Sequence, residues 1–397
     1  MKRVALLCMG LALGAASAAE AQLTMQMSNG WSFTFAGNVN AFLTYESFDQ
    51  DGTTTGVIVP GGGAESETRI RTGLLPAFAV FDAKGKEGET DLSVHFGFAP
   101  QVNCGTGVHD CFGAQIDMRQ VFLTVGGSWG QILAGRELGL FQRQNILTDQ
   151  TLFGIGATGS TGGPTGGGGT TLGRIGFGYI YPQFKAQMTY STVAGRPFQL
   201  SIGVFEAAIN GPYTKTQIPR VEAEGVWSSG NTKVWFGGTA QTNKNPANDE
   251  SASSYGGHGG VRFGSATFSL TGSGYYGKGL GTTLLFNGGA CTLLTCGANG
   301  SNDLRNSYGF IGQVTFTPAN SKVTVAGSYG SSYLESSDTE GGTGKVENTL
   351  ISGGIYFQAT KSLKVVGEFN YALGKDDVDT NENNKSFAPA FGLMLFF

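Results

Sequence analysis

Apolar and polar residues alternate along most of this chain with a period of two, which is the spacing of side chains on the two faces of a β-strand. Residues 31–45 place aromatic and aliphatic side chains on one face and mostly Ser, Thr and Asn on the other, with Phe42 as the exception. Residues 266–276 and 363–371 repeat the pattern. The alternation therefore predicts an all-β protein.

The length of the predicted strands separates two classes of all-β protein. A soluble sandwich also alternates, with its apolar face inward, but globular strands usually run for about 5–6 residues. The segments in this chain run for roughly 10–15 residues, and a tilted strand needs roughly 9–11 residues to cross a bilayer. Strand length therefore favours a transmembrane antiparallel β-barrel, and a soluble secreted sandwich is the alternative.

The connectors between these segments alternate between short turns and long polar loops. Short turns are expected at Gly85–Glu89, Gly126–Gly130, Ser228–Asn231, Pro318–Ser321 and Thr360–Lys361. Long loops are expected at 46–68, 100–115, 141–170, 242–256, 277–303, 333–346 and 374–385. Short periplasmic turns at one rim and long extracellular loops at the other are typical of bacterial outer-membrane barrels.

The number of strands is constrained by the position of the two termini. Direct counting gives 17 segments, but both termini of such a barrel should be periplasmic, which requires an even number. Residues 172–181 and 183–193 can be joined into one strand with Pro182 at a bulge, where proline is tolerated. Residues 194–197 then form a short turn, and the prediction becomes 16 strands, with 18 as the alternative.

The two ends of the chain carry export and assembly signals. Residues 1–21 have the basic start, short apolar run and small-residue cleavage site of a secretory signal peptide, so residues 22–397 are expected to form the mature barrel domain. The chain ends in apolar residues at every second position: Phe391, Leu393, Leu395 and Phe397. This ending resembles the assembly signature of outer-membrane barrel proteins, which implies the barrel-assembly machinery as a partner. The expected location is the Gram-negative outer membrane.

Composition agrees with strands that face lipid on one side. Gly accounts for 66 and Phe for 28 of the 397 residues, and only 14% are charged, against a typical share of about 25%. The aromatic content argues against disorder. Removal of the signal peptide changes the formal net charge from −4 to −5, which argues against nucleic acid as a partner.

Four cysteines remain after the signal peptide, in two close pairs between predicted strands. The pairs are Cys104 with Cys111, and Cys291 with Cys296. An oxidising periplasm permits disulfides, so two local disulfides that close small loops are the first interpretation. A zinc site is the alternative, but these spacings match the zinc-ligand patterns poorly, and neither a metal nor a cofactor is expected.

One stretch in the first half of the chain carries a family resemblance. Residues 120–136 read as a strand, a tight turn at Gly127–Gly130 and a second strand that ends in Gly135-Arg136. This stretch resembles the general bacterial porins, and Arg174–Tyr181 resembles the strand that follows in them. The resemblance implies a 16-stranded barrel, usually a homotrimer, that passes ions and small hydrophilic solutes. It also implies that loop 141–170 folds into the barrel and narrows it.

Charged residues on the predicted strands are candidates for this narrowing. Arg69 and Arg71 share one strand face, and an arginine on the lipid side costs roughly 2–4 kcal/mol at the bilayer midplane, so both are expected to point inward. Three further arginines, from neighbouring strands, are expected to join them: Arg119, Arg136 and Arg174. Three charged residues in or beside the constriction loop are expected to face this basic wall: Glu137, Arg143 and Asp149. The alternative is that several of these residues lie at the rim and bind lipopolysaccharide or solvent.

Other chemical patterns are weak. No Ser or Cys is placed beside a histidine as an activated nucleophile requires. Gly154–Gly159 matches G-x-G-x-x-G without the helix of a nucleotide site, and Asp377–Asn383 lacks the Gly and Glu of an EF-hand calcium loop. The sequence therefore predicts a passive diffusion channel and not an enzyme. A substrate-specific channel and a non-channel surface or adhesin barrel are the alternatives.

Overall fold

Antiparallel β-strands account for most of the chain in the computed structural model, which describes residues 23–50, 58, 66–102, 116–159, 170–290, 304–340, 344–377 and 382–397. The strands form one continuous sheet. They are β1 (Leu23–Gln26), β2 (Ser32–Gln50), β3 (Ser66–Arg71), β4 (Phe78–Glu87), β5 (Thr90–Pro100), β6 (Ile116–Gly127), β7 (Gly130–Leu138), β8 (Phe184–Ser191), β9 (Phe198–Phe205), β10 (Lys215–Ser229), β11 (Thr232–Lys244), β12 (Ser251–Gly264), β13 (Phe268–Lys278), β14 (Asn306–Phe316), β15 (Val323–Glu335), β16 (Lys345–Gln358), β17 (Leu363–Asp376) and β18 (Glu382–Phe396).

The sheet closes on itself, because β18 pairs with β2 and so joins the two ends of the chain. Its 18 described strand segments fill 16 positions in the wall. β3 and β4 share one position, since both pair with β2 and the chain between them, residues 72–77 (the inward segment), leaves the wall. β1 continues the position of β18, because it pairs with β2 at Ser32–Phe35, just beyond the last contact of β18. The predicted all-β barrel of 16 strands is therefore confirmed.

The outward-facing positions carry the apolar half of the alternation. In β18, Phe391, Leu393 and Leu395 are 56%, 48% and 50% exposed, whereas Met394 is 1% exposed. Such rows of exposed apolar side chains recur around the barrel, and lipid is the environment that they fit. In the described part of the chain, no helix is long and apolar enough to span a membrane.

One predicted strand is wrong. Residues 172–181 do not form a strand, β8 begins only at Phe184, and Pro182 lies in the preceding loop. Gly173, Gly176 and Gly178 have φ angles of +57°, +82° and +135°, which bend the backbone in a way that residues with a Cβ rarely adopt. The predicted number of 16 strands is still correct, because β8 and β9 pair across a short turn at 192–197.

Two asparagines of β2 stabilise the inward segment from inside the barrel. Oδ1 of Asn40 accepts a hydrogen bond from the backbone N–H of Gly73, and its Nδ2 donates to the carbonyl of Leu75, both at 2.9 Å. Nδ2 of Asn38 donates to the carbonyl of Pro76 at 3.1 Å. These amides replace the ladder hydrogen bonds that the segment loses when it leaves the wall.

Candidate functional site in the lumen

The connector between β7 and β8, residues 139–183 (the lumen loop), folds back into the barrel. Its outgoing arm contains helix α1 (Arg143–Thr148) and a 3₁₀ turn at Gln150–Phe153. Its returning arm is bonded to the outgoing arm, because Ala157 donates its backbone N–H to Gly173 and accepts one from Leu172, both at 2.9 Å. The predicted constriction loop thus extends well beyond residue 170, over a stretch that includes the misassigned strand.

Glu222 of β10 binds the start of the lumen loop. Its Oε2 accepts hydrogen bonds from the backbone N–H groups of Leu140 and Phe141, at 2.6 and 2.9 Å. Its Oε1 accepts from the guanidinium of Arg220, and both of these side chains are fully buried. Hydrogen bonds to a carboxylate are about twice as strong as bonds between neutral groups, so Glu222 fixes the point where the loop leaves the wall.

Glu224 lies two residues further along β10 and binds helix α1. Its Oε1 accepts from Nη2 of Arg143 at 2.6 Å and from Nε2 of Gln144 at 3.1 Å. Gln144 in turn accepts a hydrogen bond from Nζ of Lys233 on β11. Burial alone lowers the pKa of Arg143, but the adjacent Glu224 carboxylate outweighs it and raises that pKa above its usual range. The guanidinium therefore stays charged inside the lumen.

Uncharged side chains bind the middle of the lumen loop. Nε1 of Trp235 on β11 donates to Oδ1 of Asn145 at 2.8 Å. Gln313 on β14 forms two bonds, because its Oε1 accepts from the backbone N–H of Gln150 at 2.7 Å and its Nε2 donates to the carbonyl of Thr148 at 2.9 Å. Side chains of the wall thus satisfy backbone N–H and C=O groups that are not bonded within the loop itself.

Glu368 of β17 binds the far end of the outgoing arm. Its Oε2 accepts from the backbone N–H groups of Ile155 and Gly156, at 2.8 and 3.0 Å. Its Oε1 accepts from the hydroxyl of Tyr356 at 2.6 Å. Gly154 is packed so closely against this carboxylate that a Cβ at that position would overlap it.

The returning arm is bound through Arg174, which is fully buried. Its Nε donates to Oγ of Ser328 and its Nη1 to the carbonyl of Leu350, both at 2.9 Å. Within the loop, the hydroxyl of Tyr179 donates to Oδ2 of Asp149 at 2.8 Å. Burial raises the pKa of Asp149 even though Arg174 opposes the shift, and burial lowers the pKa of Arg174. Both residues therefore hold the loop together rather than line an aqueous channel.

The contacts of the lumen loop define where the passage lies. Residues 140–180 hydrogen-bond to strands between β10 and β17 and to the inward segment, but among the described residues they make no hydrogen bond to β4–β9. Near the end of the loop, the hydroxyl of Tyr181 accepts a hydrogen bond from Nη1 of Arg119 on β6 at 3.5 Å. Because most hydrogen bonds of the loop go to one side of the barrel, we expect the open cross-section between the loop and the opposite wall of β4–β9. That wall carries polar inward-facing residues: Asp82, His95, Lys185, Gln187 and Thr189.

Most of the constriction candidates that lie on strands point into the barrel, as expected. Arg69 and Arg71 lie on either side of the outward-facing Ile70, which is 66% exposed, and Arg69 forms an ion pair with Glu67. Nε of Arg119 donates to Asp117 at 2.8 Å. Glu137 is buried and accepts from Nε2 of Gln120, also at 2.8 Å.

Arg136 is placed differently from the expectation. It shares the outward face of β7 with Ile132 and is exposed, and its guanidinium reaches the carbonyl of Met118 at 3.5 Å. Arg136 and Glu137 are adjacent in one strand, so only one of them can face the lumen. Arg143 lies in the loop as expected, but the wall residue that it meets is the carboxylate Glu224 and not one of the predicted arginines.

The remaining predictions concern the C-terminal assembly residues and the cysteines. Phe391, Leu393 and Leu395 face outward, and the ring of Phe397 lies 5.2 Å from that of Phe35 at the seam. The four cysteines, Cys104, Cys111, Cys291 and Cys296, lie outside the described residues, so the disulfide prediction is not addressed. Among the described residues, no cluster of His, Cys, Asp and Glu could hold a metal ion.

The residues that bind the lumen loop were not identified from the sequence. Glu222, Glu224 and Glu368 are acidic residues inside predicted strands, and each is flanked by apolar residues or glycine. A carboxylate at such a position can face only the lumen without a large cost. This signal could have marked all three as lumen residues, although not the loop atoms that they bind.

The comparisons with known proteins cover most of the barrel. A family model described as Gram-negative porin matches residues 5–377. No curated protein sequence matches the chain. The outer-membrane channel DcaP of Acinetobacter baumannii has a similar structure, with a TM-score of 0.70 at 13% identity over 94% of this chain and 99% of that one.

Two further solved porin structures are similar to this chain. OmpT of Vibrio cholerae gives a TM-score of 0.59 at 14% identity, over 94% of this chain and all of that one. Salmonella typhi OmpF, in complex with daunomycin, gives 0.59 at 9% identity, over 93% of this chain and all of that one. These identities support the fold alone, and the family match covers most of the sequence. The chain therefore belongs to the Gram-negative porin family, the non-enzymatic channel barrels of the outer membrane.

Proposed function

We propose that this porin is a passive diffusion channel for ions and small hydrophilic solutes. The observation that supports the proposal is the lumen loop, which Glu222, Glu224 and Glu368 bind to one side of the barrel wall. We expect a loop held to one side to narrow the lumen and to leave a passage beside the wall of β4–β9. Passage then depends on the size and charge of the solute, and no covalent step is needed.

Planar-bilayer recording tests this function directly. Folded protein, recognised by heat-modifiable migration on gels, is expected to give discrete conductance steps that rise in proportion to salt concentration. The same preparation, boiled before addition, is the matched control and should give none. Folded protein that inserts without discrete steps would contradict the proposal and favour a non-channel surface barrel.

A substrate-specific channel is the alternative within the same family. Its flux should saturate with one solute and be blocked by a competitor, whereas a diffusion channel conducts unrelated small solutes in proportion to their concentration. Liposome swelling with a series of uncharged sugars separates the two. A strict size dependence without saturation supports the diffusion channel.

We also propose that the chain assembles as a homotrimer, because many porins do; one solved structure of Vibrio cholerae OmpT is a trimer form. The partners expected at this location are outer-membrane lipid, lipopolysaccharide and the barrel-assembly machinery. Native mass measurement in detergent should give the mass of three chains. The mass of one chain, at all detergent concentrations that keep the barrel folded, would contradict the trimer.

A further inference from the structure

Four basic residues face the lumen near its short-turn, periplasmic end. Lys84, Lys233, Arg262 and Lys364 (the lower cations) each alternate with outward-facing neighbours. Arg262, for example, lies between Val261 and Phe263, which are 46% and 53% exposed on the lipid side. All four lie within a few residues of the strand end that meets a short turn. The periplasmic half of the lumen is therefore lined by positive charge.

Two of the lower cations face each other across neighbouring strands. Lys233 of β11 and Arg262 of β12 are direct cross-strand partners. Like charges at such positions repel each other and destabilise the sheet. Their next neighbours are neutral, Ser228 on β10 and Thr271 on β13. The wall thus contains a like-charged pair whose direct cross-strand neighbours carry no compensating charge.

Arg143 of the lumen loop adds a third cation to this pair. Both Arg143 and Arg262 repel Lys233, and Glu224 is the carboxylate that attracts it. Glu224 is already engaged by Nη2 of Arg143 at 2.6 Å. Glu137 and Glu222 also attract Arg143, whereas Arg262 remains exposed to the lumen.

The other two lower cations also have neutral neighbours. Lys364 lies between Gln358 and Met394 on the adjacent strands, and its Nζ is 4.0 Å from the ring centroid of Phe153 in the lumen loop. Lys84 lies between Ser32 and Ser93. In the part of the chain that the structure describes, none of the four lower cations lies within 4.0 Å of a carboxylate oxygen.

Two acidic residues face the same end of the lumen, and both lie on the side of Lys84. Asp91 lies opposite Lys86, with the ammonium 3.9 Å from its carboxylate. Asp82 binds Nδ1 of His95 at 2.8 Å and lies two residues from Lys84 on the same strand face. These carboxylates are on β4 and β5, so they do not reach the pair formed by Lys233 and Arg262 on β11 and β12.

We propose that the periplasmic half of the lumen is an anion-binding vestibule, in which Lys233 and Arg262, with Arg143 above them, hold a phosphate or carboxylate group. The inference rests on the proposed channel function and names the charge class that the channel favours. An anion between Lys233 and Arg262 relieves their repulsion, and several cations around a narrow passage raise the local concentration of anions. The channel is accordingly selective for anions over cations.

The experiment combines a current measurement with a binding measurement. In bilayers under a potassium chloride gradient, the reversal potential should report chloride permeability above that of potassium. The double variant K233Q/R262Q should reduce the permeability ratio by about threefold or more, because it removes two charges that face the periplasmic half of the lumen. The matched control is K345Q/K375Q, whose side chains lie on the outward faces of β16 and β17 and whose ratio should not change.

Binding is measured separately from conduction. In detergent-folded protein, inorganic phosphate should show ³¹P line broadening that K233Q/R262Q abolishes and K345Q/K375Q leaves intact. A cation-selective wild type, or a double variant with unchanged ratio and unchanged broadening, overturns the vestibule. Phosphate binding without any channel activity supports the site and contradicts the proposed function instead. Heat-modifiable migration confirms that each variant is folded.

Discussion

The guanidinium of Arg143, in the lumen loop, donates to the carboxylate of Glu224, in the barrel wall, at 2.6 Å. The pair is buried, with side chains 13% and 1% exposed. A buried ion pair contributes little net stability relative to an apolar pair, but the loss of one partner leaves the other charge buried and unpaired. The pair therefore fixes the position of the loop more than it adds to the free energy of unfolding.

Replacement of Glu224 by Gln should lower the free energy of unfolding by about 3 kcal/mol, because Arg143 keeps its charge without a carboxylate. Urea unfolding of the folded barrel, followed by loss of heat-modifiable migration, measures the change. E347Q is the matched control, since Glu347 lies on the outward face of β16. The double variant R143M/E224M should recover most of the loss; no difference between E224Q and E347Q would contradict this account.

Replacement of Glu368 by Gln should release the tip of the lumen loop. The amide oxygen can still accept both hydrogen bonds from Ile155 and Gly156, as Oε2 does, but it loses the charge that strengthens them. The single-channel conductance is expected to rise and its current noise to increase, while the barrel stays folded. Bilayer recording beside E347Q provides the comparison, and a conductance equal to that of the wild type would rule out this role.

Gly154 to Ala should reproduce the effect of E368Q by steric means. A Cβ at Gly154 overlaps the Glu368 carboxylate, which must then move away from the loop backbone. G353A is the matched control, because a Cβ at Gly353 meets open space on the outward face. The expected result is a raised conductance for G154A alone. Equal conductance in the two variants would show that the carboxylate adapts without loss of the loop.

Low pH should loosen two extracellular loops that meet at Arg305 and Glu340. Burial alone would raise the pKa of Glu340, but hydrogen bonds from Arg305 and Ser337 lower it from 4.5 to about 2. Because the folded pKa is depressed, the contact stabilises the loops fully above pH 4.5 and is lost as the pH falls from 4.5 through about 2. Cleavage by an acid-active protease in the loop after β15 should increase over this window.

The matched variant for the pH experiment is R305Q, which removes the group that lowers the pKa of Glu340. Its loop should be cleaved readily at pH 5 already, with little further change on acidification to pH 3. Equal pH dependence in R305Q and the wild type would assign the effect to other carboxylates.

The sequence predicted the wall of this barrel better than its lumen. Period-two alternation reports which side of a strand meets lipid, so Phe391 and Ile70 could be placed correctly from local pattern. Residues 172–181 also alternate, but Gly173, Gly176 and Gly178 adopt left-handed backbone angles that the alternation does not reveal. The partners of Arg174 and Asp149 come from distant strands or the opposite arm of the loop, and no local spacing encodes such contacts.

The seam between β2 and β18 bears on the order in which the barrel forms. Gly37 and Phe397 exchange backbone hydrogen bonds of 2.8 and 3.0 Å, and β1 extends the same edge of β2. β2 and β18 are neighbours in the closed wall although almost the whole described barrel separates them in the sequence. Until they meet, this edge of β2 is a row of unpaired backbone groups that can pair with other chains. Because the entropic cost of joining two segments grows with the length of chain between them, we expect this seam to form after the pairings between strands adjacent in sequence.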